Sequence, residues 1–409
     1  MQTRRRVCTL VVLLPLMATH TVAQESRALS LQEVLARARE RAPTAVAARA
    51  RIAEAEARLI GASRRFRSNP VIEAALGPRA NEAARSSDVE IGVSQAFEPG
   101  SRRTARVAAA RAGIEQSASA ADEALRLVLR DAALAFYDAL SGQERLRLLG
   151  DATRVADEVL RTAERRYEAG DIAILEVNVA RAAAARARAA EAAARAALTR
   201  PLADLRVLLG MSSRDTLGVK GSLSELDRRL AEPFTPRLVD LPALRTLDGQ
   251  IREAEADQAL ARAQAKPDVG VSARYAKEET SHILLGGITI TLPTFDRGQD
   301  LSATAAARLT RLRLERDALR REAEVRLQAG FERYTEERRG LESLVRDALP
   351  GLEENETLAR RSYEVGELSL PEWLVLRREL LETRLEYVDR LFSVAASALD
   401  VDFASGALR

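Results

Sequence analysis

The chain has 409 residues, 30% of them charged and only 4% aromatic, and a formal charge of +3. That surplus equals Arg4, Arg5 and Arg6 of residues 1–23, a stretch without acids, so the remainder is neutral and lacks the electrostatic footprint of a nucleic-acid binder. Beyond residue 23 there is no cysteine, one histidine (His282) and one methionine (Met211), which excludes a disulfide, a thiol nucleophile, a lipid-attachment cysteine, a histidine triad, a multi-histidine zinc centre and a methionine-rich copper site.

Residues 1–23 read as a secretory signal peptide. The arginines precede an apolar run from Val7 to Met17, too short to span a bilayer, and Thr21-Val22-Ala23 suits cleavage before Gln24. Residues 24–69 are predicted to hold two helices. Ser30-Leu31-Gln32-Glu33 is a capping-box pattern that opens the first, and Pro43 fits the first turn of the second. The second runs through Ile52-Ala53-Glu54-Ala55-Glu56-Ala57 and stops at Asn69-Pro70. Residues 70–98 change texture: Val89, Ile91 and Val93 alternate with Glu90, Gly92 and Ser94, which predicts a β-hairpin.

Residues 99–210 are predicted as a long helical hairpin. Its first arm carries the stripe Leu125, Leu129, Ala132, Phe136 and Ala139 and would reach roughly 100 Å at 1.5 Å per residue. Gly142 and Gly150 are candidates for a bend. In Tyr167-Glu168-Ala169-Gly170-Asp171 the glycine is a helix C-cap signal, so residues 167–176 form the tip. Residues 211–241, with Pro233 and Pro236, read as a loop-rich insertion.

The pattern then repeats. Ile251-Arg252-Glu253-Ala254-Glu255-Ala256 matches Ile52 to Ala57, and Pro242 matches Pro43 at the same offset. Residues 242–266 form the repeat helix and 267–294 a second β-hairpin, with Val269, Val271, Ala273 and Tyr275 alternating with polar residues and His282 in its loop. Residues 295–409 form a second long hairpin, broken at Pro350-Gly351, with its tip at residues 363–372 in Tyr363-Glu364-Val365-Gly366-Glu367. Landmarks in matching order identify a duplication, each half running helix, strand hairpin, long helix, tip, long helix.

Strands of about ten residues with one apolar and one polar face suit a transmembrane barrel, for which Phe97, Tyr275 and Phe295 are the aromatic-girdle candidates. Four strands cannot close a barrel, and an open edge is not tolerated in lipid, so chains must pool their strands.

The paired Tyr-Glu-x-Gly tips and Leu205-Arg206-Val207-Leu208-Leu209-Gly210 carry a resemblance to the TolC family of outer-membrane efflux channels. Ser94-Gln95-Ala96-Phe97-Glu98 through Arg102-Arg103 and Leu292-Pro293-Thr294-Phe295-Asp296-Arg297-Gly298 extend it to about residues 29–404. The resemblance implies a mainly α chain with membrane β-barrel strands, in which three copies build a twelve-stranded barrel over a twelve-helix periplasmic tunnel. Residues 211–241 would then be an equatorial insertion. It further implies an exit duct without a cofactor, coupled through a periplasmic adaptor protein to an inner-membrane pump, of the RND type. Glu98 with Arg102-Arg103, and the Leu349-Pro350 break, look most like the heavy-metal (cobalt-zinc-cadmium type) branch.

In relatives, tyrosines and acids near the tips close the periplasmic end. Tyr363 matches a gate tyrosine with Tyr167 as its counterpart, and Glu176 and Glu372, six residues past Gly170 and Gly366, match acidic positions. Leu368 stands where relatives carry a gate arginine. A ring of such carboxylates would favour cations and raise some of their pKa values, or both glutamates could be helix N-terminal residues favoured by the dipole. Asp171, Ile172, Glu367, Leu368 and Ser369 are the adaptor-contact candidates. A periplasmic adaptor or a coiled-coil structural protein is the competing reading. An enzyme has no support, because no nucleophile–base pair or phosphate loop is present.

Overall fold

The computed structural model describes residues 27–80, 85–98, 100–222, 241–278 and 281–407. The signal-peptide reading of residues 1–23 and most of the 211–241 insertion lie outside them.

In chain order the elements are β1 (Arg27–Leu29), α1 (Leu31–Arg41), α2 (Pro43–Ser63), β2 (Val71–Ala80), β3 (Arg85–Phe97), α3 (Gly100–Glu168), α4 (Ile174–Leu208) and β4 (Leu217–Val219). The second half follows as α5 (Pro242–Gln264), β5 (Asp268–Glu278), β6 (Ser281–Thr291), α6 (Gln299–Asp347), α7 (Leu352–Glu364) and α8 (Leu370–Ser405). The chain is therefore mainly helical with one substantial sheet. Helix α3 is continuous over 69 residues, roughly 100 Å, and is not interrupted at Gly142 or Gly150. A proline and a glycine do break the second half, where the helix stops at Asp347 and restarts at Leu352.

The antiparallel sheet runs β2-β3-β5-β6, and the β3–β5 pairing joins the two halves. Its register places Ile72, Val93, Ala273 and Gly286 in one row, and Ala74, Ile91, Tyr275 and Leu284 in the next, all on one face. Glu73, Glu90, Ser94, Ser272, Arg274 and Thr289 share the other. Among the described residues, no strand pairs with the outer edge of β2 or of β6, so the sheet they form is open and not a closed barrel. His282, expected in a loop, lies on β6, where its ring packs beside Tyr275. The pair of glycines at 286 and 287 dilutes the alternation that would have marked that strand.

A second sheet was not legible in advance. Strands β1 and β4 pair in parallel, Arg27 with Leu217 and Leu29 with Val219, and tie the start of the chain to the end of the first hairpin. They sit on the main core, where Val34 and Ala38 of α1 meet Leu129, Ala132, Phe136 and Ala139 of α3. Leu205 and Leu209 of α4's end close it on one side and Tyr334, Val388, Leu391 and Val394 of α6 and α8 on the other. Each Val, Leu or Phe among them, fully buried, contributes about 1.5–3 kcal/mol. A smaller core links α5 to α6 through Ala254, Leu309 and Leu312. Beside it runs an ion-pair ladder of Arg308 to Glu253 and Asp257, and Arg316 to Asp248.

The junction between strands and helices is set by two adjacent arginines. Arg102 donates to the carbonyls of Ala263, Gln264 and Lys266 and pairs with Asp268, satisfying the last turn of α5. Arg103 does the same for α2 through Ser63 O. Consecutive side chains of α3 thus hold the ends of the two duplicated helices that feed the sheet. Arg106 pairs with the largely enclosed Glu98 carboxylate just before. Where α3 crosses α5, Gly249 is required, because a Cβ there would lie 2.8 Å from Gln116 Cβ.

Ser30 and Glu33 form a complete capping box, and Lys220 lies 3.1 Å from the same carboxylate. The Ser30 backbone N–H, then Lys220, lower the Glu33 pKa from 4.5 to about 2. A depressed folded-state value means the contribution is present above about 4.5 and is lost as pH falls towards 2. Glu33→Gln should therefore lower Tm at pH 7, and the gap from wild type should close as pH falls through that window; a gap that persists at pH 2 would refute the assignment.

Candidate functional site

The two tips are built alike. The helix that enters each tip ends with glycine in the left-handed region, Gly170 at φ 82° and Gly366 at φ 83°. At the first, Gly170 N–H donates to Tyr167 O (2.9 Å) and Asp171 N–H to Arg166 O (2.8 Å). At the second, Gly366 N–H donates to Tyr363 O (3.2 Å) and Glu367 N–H to Ser362 O (2.8 Å). This double bond pattern satisfies the last carbonyls and turns the chain back. No atom lies within 4 Å of a Cβ built at either glycine, so backbone conformation alone demands the residue.

Behind the tips lies a core separate from the main one. Val159 and Ala163 of α3, Val177 and Ala180 of α4, Ala359 of α7, and Leu370 and Trp373 of α8 are buried together. Trp373 is its centre. Tyr363 stacks on the indole at 4.9 Å with an interplanar angle of 11°, and the Arg377 guanidinium lies 5.5 Å from the same ring. Burial lowers the pKa of Arg377 from its usual high range, against the opposing field of Glu356. Arg384 pairs with Glu356 at 2.8 Å and fastens α7 to α8. Sequence reasoning passed over Trp373, although the chain's single tryptophan within one turn of a helix start was a visible signal.

The gate candidates fall in different settings. Tyr167 is exposed, while Tyr363 is half-buried with one ring face engaged by Trp373 of its own chain. Glu372 accepts from Ser369 N–H (2.9 Å) and Ser369 O–H (2.7 Å) in a capping box. Those bonds, the side chain's first, lower its pKa, opposite in sign to the rise expected of a carboxylate ring. Glu176 has no such partner on its own turn, since Ala173 caps α4 without a side-chain oxygen. The duplicated glutamates are therefore not equivalent.

Among the adaptor-contact candidates, Asp171 and Glu367 are exposed, and Glu367 accepts from Ser362 O–H at 3.1 Å. Ile172 packs against the tip core, Leu368 is half-buried, and Ser369 is occupied as a cap. The apolar groups that the tips leave most in solvent are Leu175 and Val365, 69% and 72% exposed, ahead of Ile174, and the sequence reading did not single them out. Above the tip core a cleft of about 1200 Å³ opens between α3, α4 and α8, its walls carrying Arg147, Arg154, Arg186 and Arg377.

At the other end of the molecule the sheet exposes its apolar face, with Ile72, Leu76, Leu284 and Ile288 each about three-quarters exposed. Phe97 meets Phe66 edge to face at 5.7 Å on the helix side of this face, where Phe295 is also exposed, and Tyr275 lies on the turn side. On the polar face Arg274 pairs with Glu90 at 2.8 Å. Among the described residues no helix is long and apolar enough to cross a membrane, and no group of three or more His, Cys, Asp or Glu could hold a metal ion.

Residues 34–211 match the family model described as Outer membrane efflux protein. The chain is 25% identical over 325 residues, 78% of its length and 77% of the relative's, to the cobalt-zinc-cadmium resistance protein CzcC of Cupriavidus metallidurans. It is 30% identical over 242 residues, 56% of its length and 54% of the relative's, to the nickel-cobalt-cadmium resistance protein NccC of Alcaligenes xylosoxydans xylosoxydans. In fold it is similar to CusC, with a TM-score of 0.73 at 16% identity over 92% of this chain and 91% of that one. It is likewise similar to the CmeC outer membrane channel of Campylobacter jejuni, with a TM-score of 0.76 at 16% identity over 92% and 85%.

Two measurements test the tip analysis. Gly170→Ala and Gly366→Ala should each cost about 1–2 kcal/mol through left-handed strain, read as faster hydrogen exchange at the tip concerned. Trp373→Ala should cost about 3–5 kcal/mol in the tip core, with protection lost around residues 352–380 and retained around Leu129 and Phe136.

Proposed function

We propose that the chain belongs to the outer membrane efflux protein family, and that three copies close one twelve-stranded barrel and carry heavy-metal cations out of the cell. As a member of that family it sits in the outer membrane with its helical part in the periplasm. It is the exit duct of a tripartite system, working with a periplasmic adaptor and an inner-membrane pump; its work is conduction and not catalysis.

The observation that carries the assembly is the sheet. Its apolar face is exposed at Ile72, Leu76, Ile91, Val93, Leu284 and Ile288, and among the described residues neither outer edge has a partner strand. Lipid satisfies the face but cannot satisfy the edges, and β6 of one chain pairing with β2 of the next does so without any change in the sheet. Four strands from each of three chains give twelve, a size that leaves an aqueous lumen lined by the Glu73, Glu90 and Arg274 face. The long helices, continuous with those strands, then gather into a tunnel.

The metal cargo rests on the relatives named for cobalt, zinc, cadmium and nickel resistance. Selection of the metal belongs to the pump, of the RND type in this proposal, because a water-filled duct needs no ligand cluster of its own. At the tips, Glu176 and Glu372 of three chains bias the narrow end towards cations, with Tyr167 and Tyr363 shaping the constriction. Asp171 and Glu367, with the exposed Leu175 and Val365, meet the adaptor.

Native mass of the protein extracted in mild detergent from separated outer membranes tests the assembly. A trimer is expected, and a monomer or dimer in the soluble fraction would leave the adaptor or coiled-coil reading. Deleting the gene should sensitise cells to cobalt, zinc or cadmium and not to organic toxicants; the reverse pattern would refute the cargo. In planar bilayers, Glu176→Gln with Glu372→Gln should reduce cation preference, and unchanged selectivity would end the carboxylate-ring proposal.

A further inference from the structure

The two faces of the sheet differ in more than polarity. The carboxylates of Glu73, Glu90 and Glu278 lie on the polar face with Arg274. Among the described side chains on the apolar face, one is charged, Lys277 of β5. Register sets it between Val89 of β3 and His282 of β6. Two residues earlier on the same face, Tyr275 reaches His282, with its hydroxyl 2.6 Å from Nδ1 and the rings stacked at 6.0 Å. A lysine on a lipid-facing surface is costly at the middle of a bilayer and favourable at its border, where the ammonium meets headgroups.

Its position along the strand places it at such a border. Val269, at the helix end of the apolar face, and Lys277 are separated by roughly 26 Å of strand, about 20 Å along the membrane normal at barrel tilt. That is close to the height of a barrel's apolar band, so Lys277 emerges at the far side. The helices leave the sheet at the other end, towards the periplasm, so the far side is the outer leaflet. A phosphate-bearing headgroup is the anion that such a border offers an ammonium.

We propose that Lys277, His282 and Tyr275 form a binding site for the phosphate of an outer-leaflet lipid headgroup, an inference that rests on the outer-membrane assembly proposed above. In the tautomer in which the Tyr275 hydroxyl donates to Nδ1, the His282 ring proton is on Nε2 and is directed away from the tyrosine. The ammonium and that N–H are two donors on neighbouring strands, about 5 Å apart at their Cβ atoms, which a single phosphate can bridge. Leu284 and Ile91, in the row of Tyr275, offer the surface along which the acyl chains run. Among the described side chains, no carboxylate on that face competes for the lysine.

The test uses the full trimer in mild detergent, loaded in separate arms with bis-phosphorylated lipid A, its dephosphorylated counterpart and inorganic phosphate, and read by native mass spectrometry. Wild type should retain the phosphorylated lipid at least about fivefold better than Lys277→Ala with His282→Ala, the ratio expected for loss of one cation at a membrane surface. Lys277→Arg should restore retention, and Tyr275→Phe should weaken it. Equal retention by the double variant, or equal retention of the dephosphorylated lipid, would overturn the site while leaving the trimer standing. Displacement by inorganic phosphate alone would overturn the assignment to a headgroup. Wild-type protein that is absent from outer membranes or not trimeric would sink the assembly and the site together.

Discussion

Everything in this chain answers to two unpaired strand edges. Within one chain, β2 and β6 present backbone N–H and C=O groups that lipid cannot satisfy, next to an apolar face that water does not stabilise. Side-chain chemistry cannot repair that, because the missing partners are backbone groups. The constraint acts on the helices as well. Each strand joins a helix at one end through a junction of a few residues, so the spacing and tilt of the strands dictate where α2 and α5 end and where α3 and α6 begin. Arg102 and Arg103 make that coupling rigid by tying the first turn of α3 to the last turns of both short helices.

The duplication is exact in outline and unequal in detail. Both tips use the same glycine turn, and both halves end a helix just before the strand hairpin. Yet α3 is unbroken while its counterpart is split into α6 and α7, and Glu372 is capped by Ser369 while Glu176 faces an alanine cap. The second hairpin also supplies Trp373, against which the tip core is organised. One half acts as a continuous strut and the other as a jointed arm leaning on it.

Much of this was legible in the sequence because it is periodic or local. Alternation at Val89, Ile91 and Val93 and at Val269, Val271 and Ala273 marks strands with two chemically distinct faces, and their opposite-facing residues fall where the register puts them. The stripe Leu129, Ala132, Phe136 and Ala139 is buried along α3, and the Ser30 capping box is intact. What escaped is non-local or lies in short segments. Three-residue strands such as β1 and β4 have no period, and their pairing spans nearly the whole first half. Arginine capping of a distant helix leaves no pattern in its own neighbourhood. The tip candidates were chosen by position past a glycine, which finds the turn but cannot tell an exposed Asp171 from an Ile172 that folds into the core. Ser369 to Glu372 is different: the Ser-x-x-Glu spacing was there to be read as a capping box.

The tip core and the main core share only helices and no buried side chain, and an arginine-walled cleft lies between them. Cooperativity does not cross such a gap freely, so the tip is its own unit of stability. For a lineage this separates two kinds of change. Substitutions at the tip, where the adaptor contact is proposed, draw on the tip core's own packing and leave the trunk's core untouched, so the proposed contact is free to change while the scaffold stays the same.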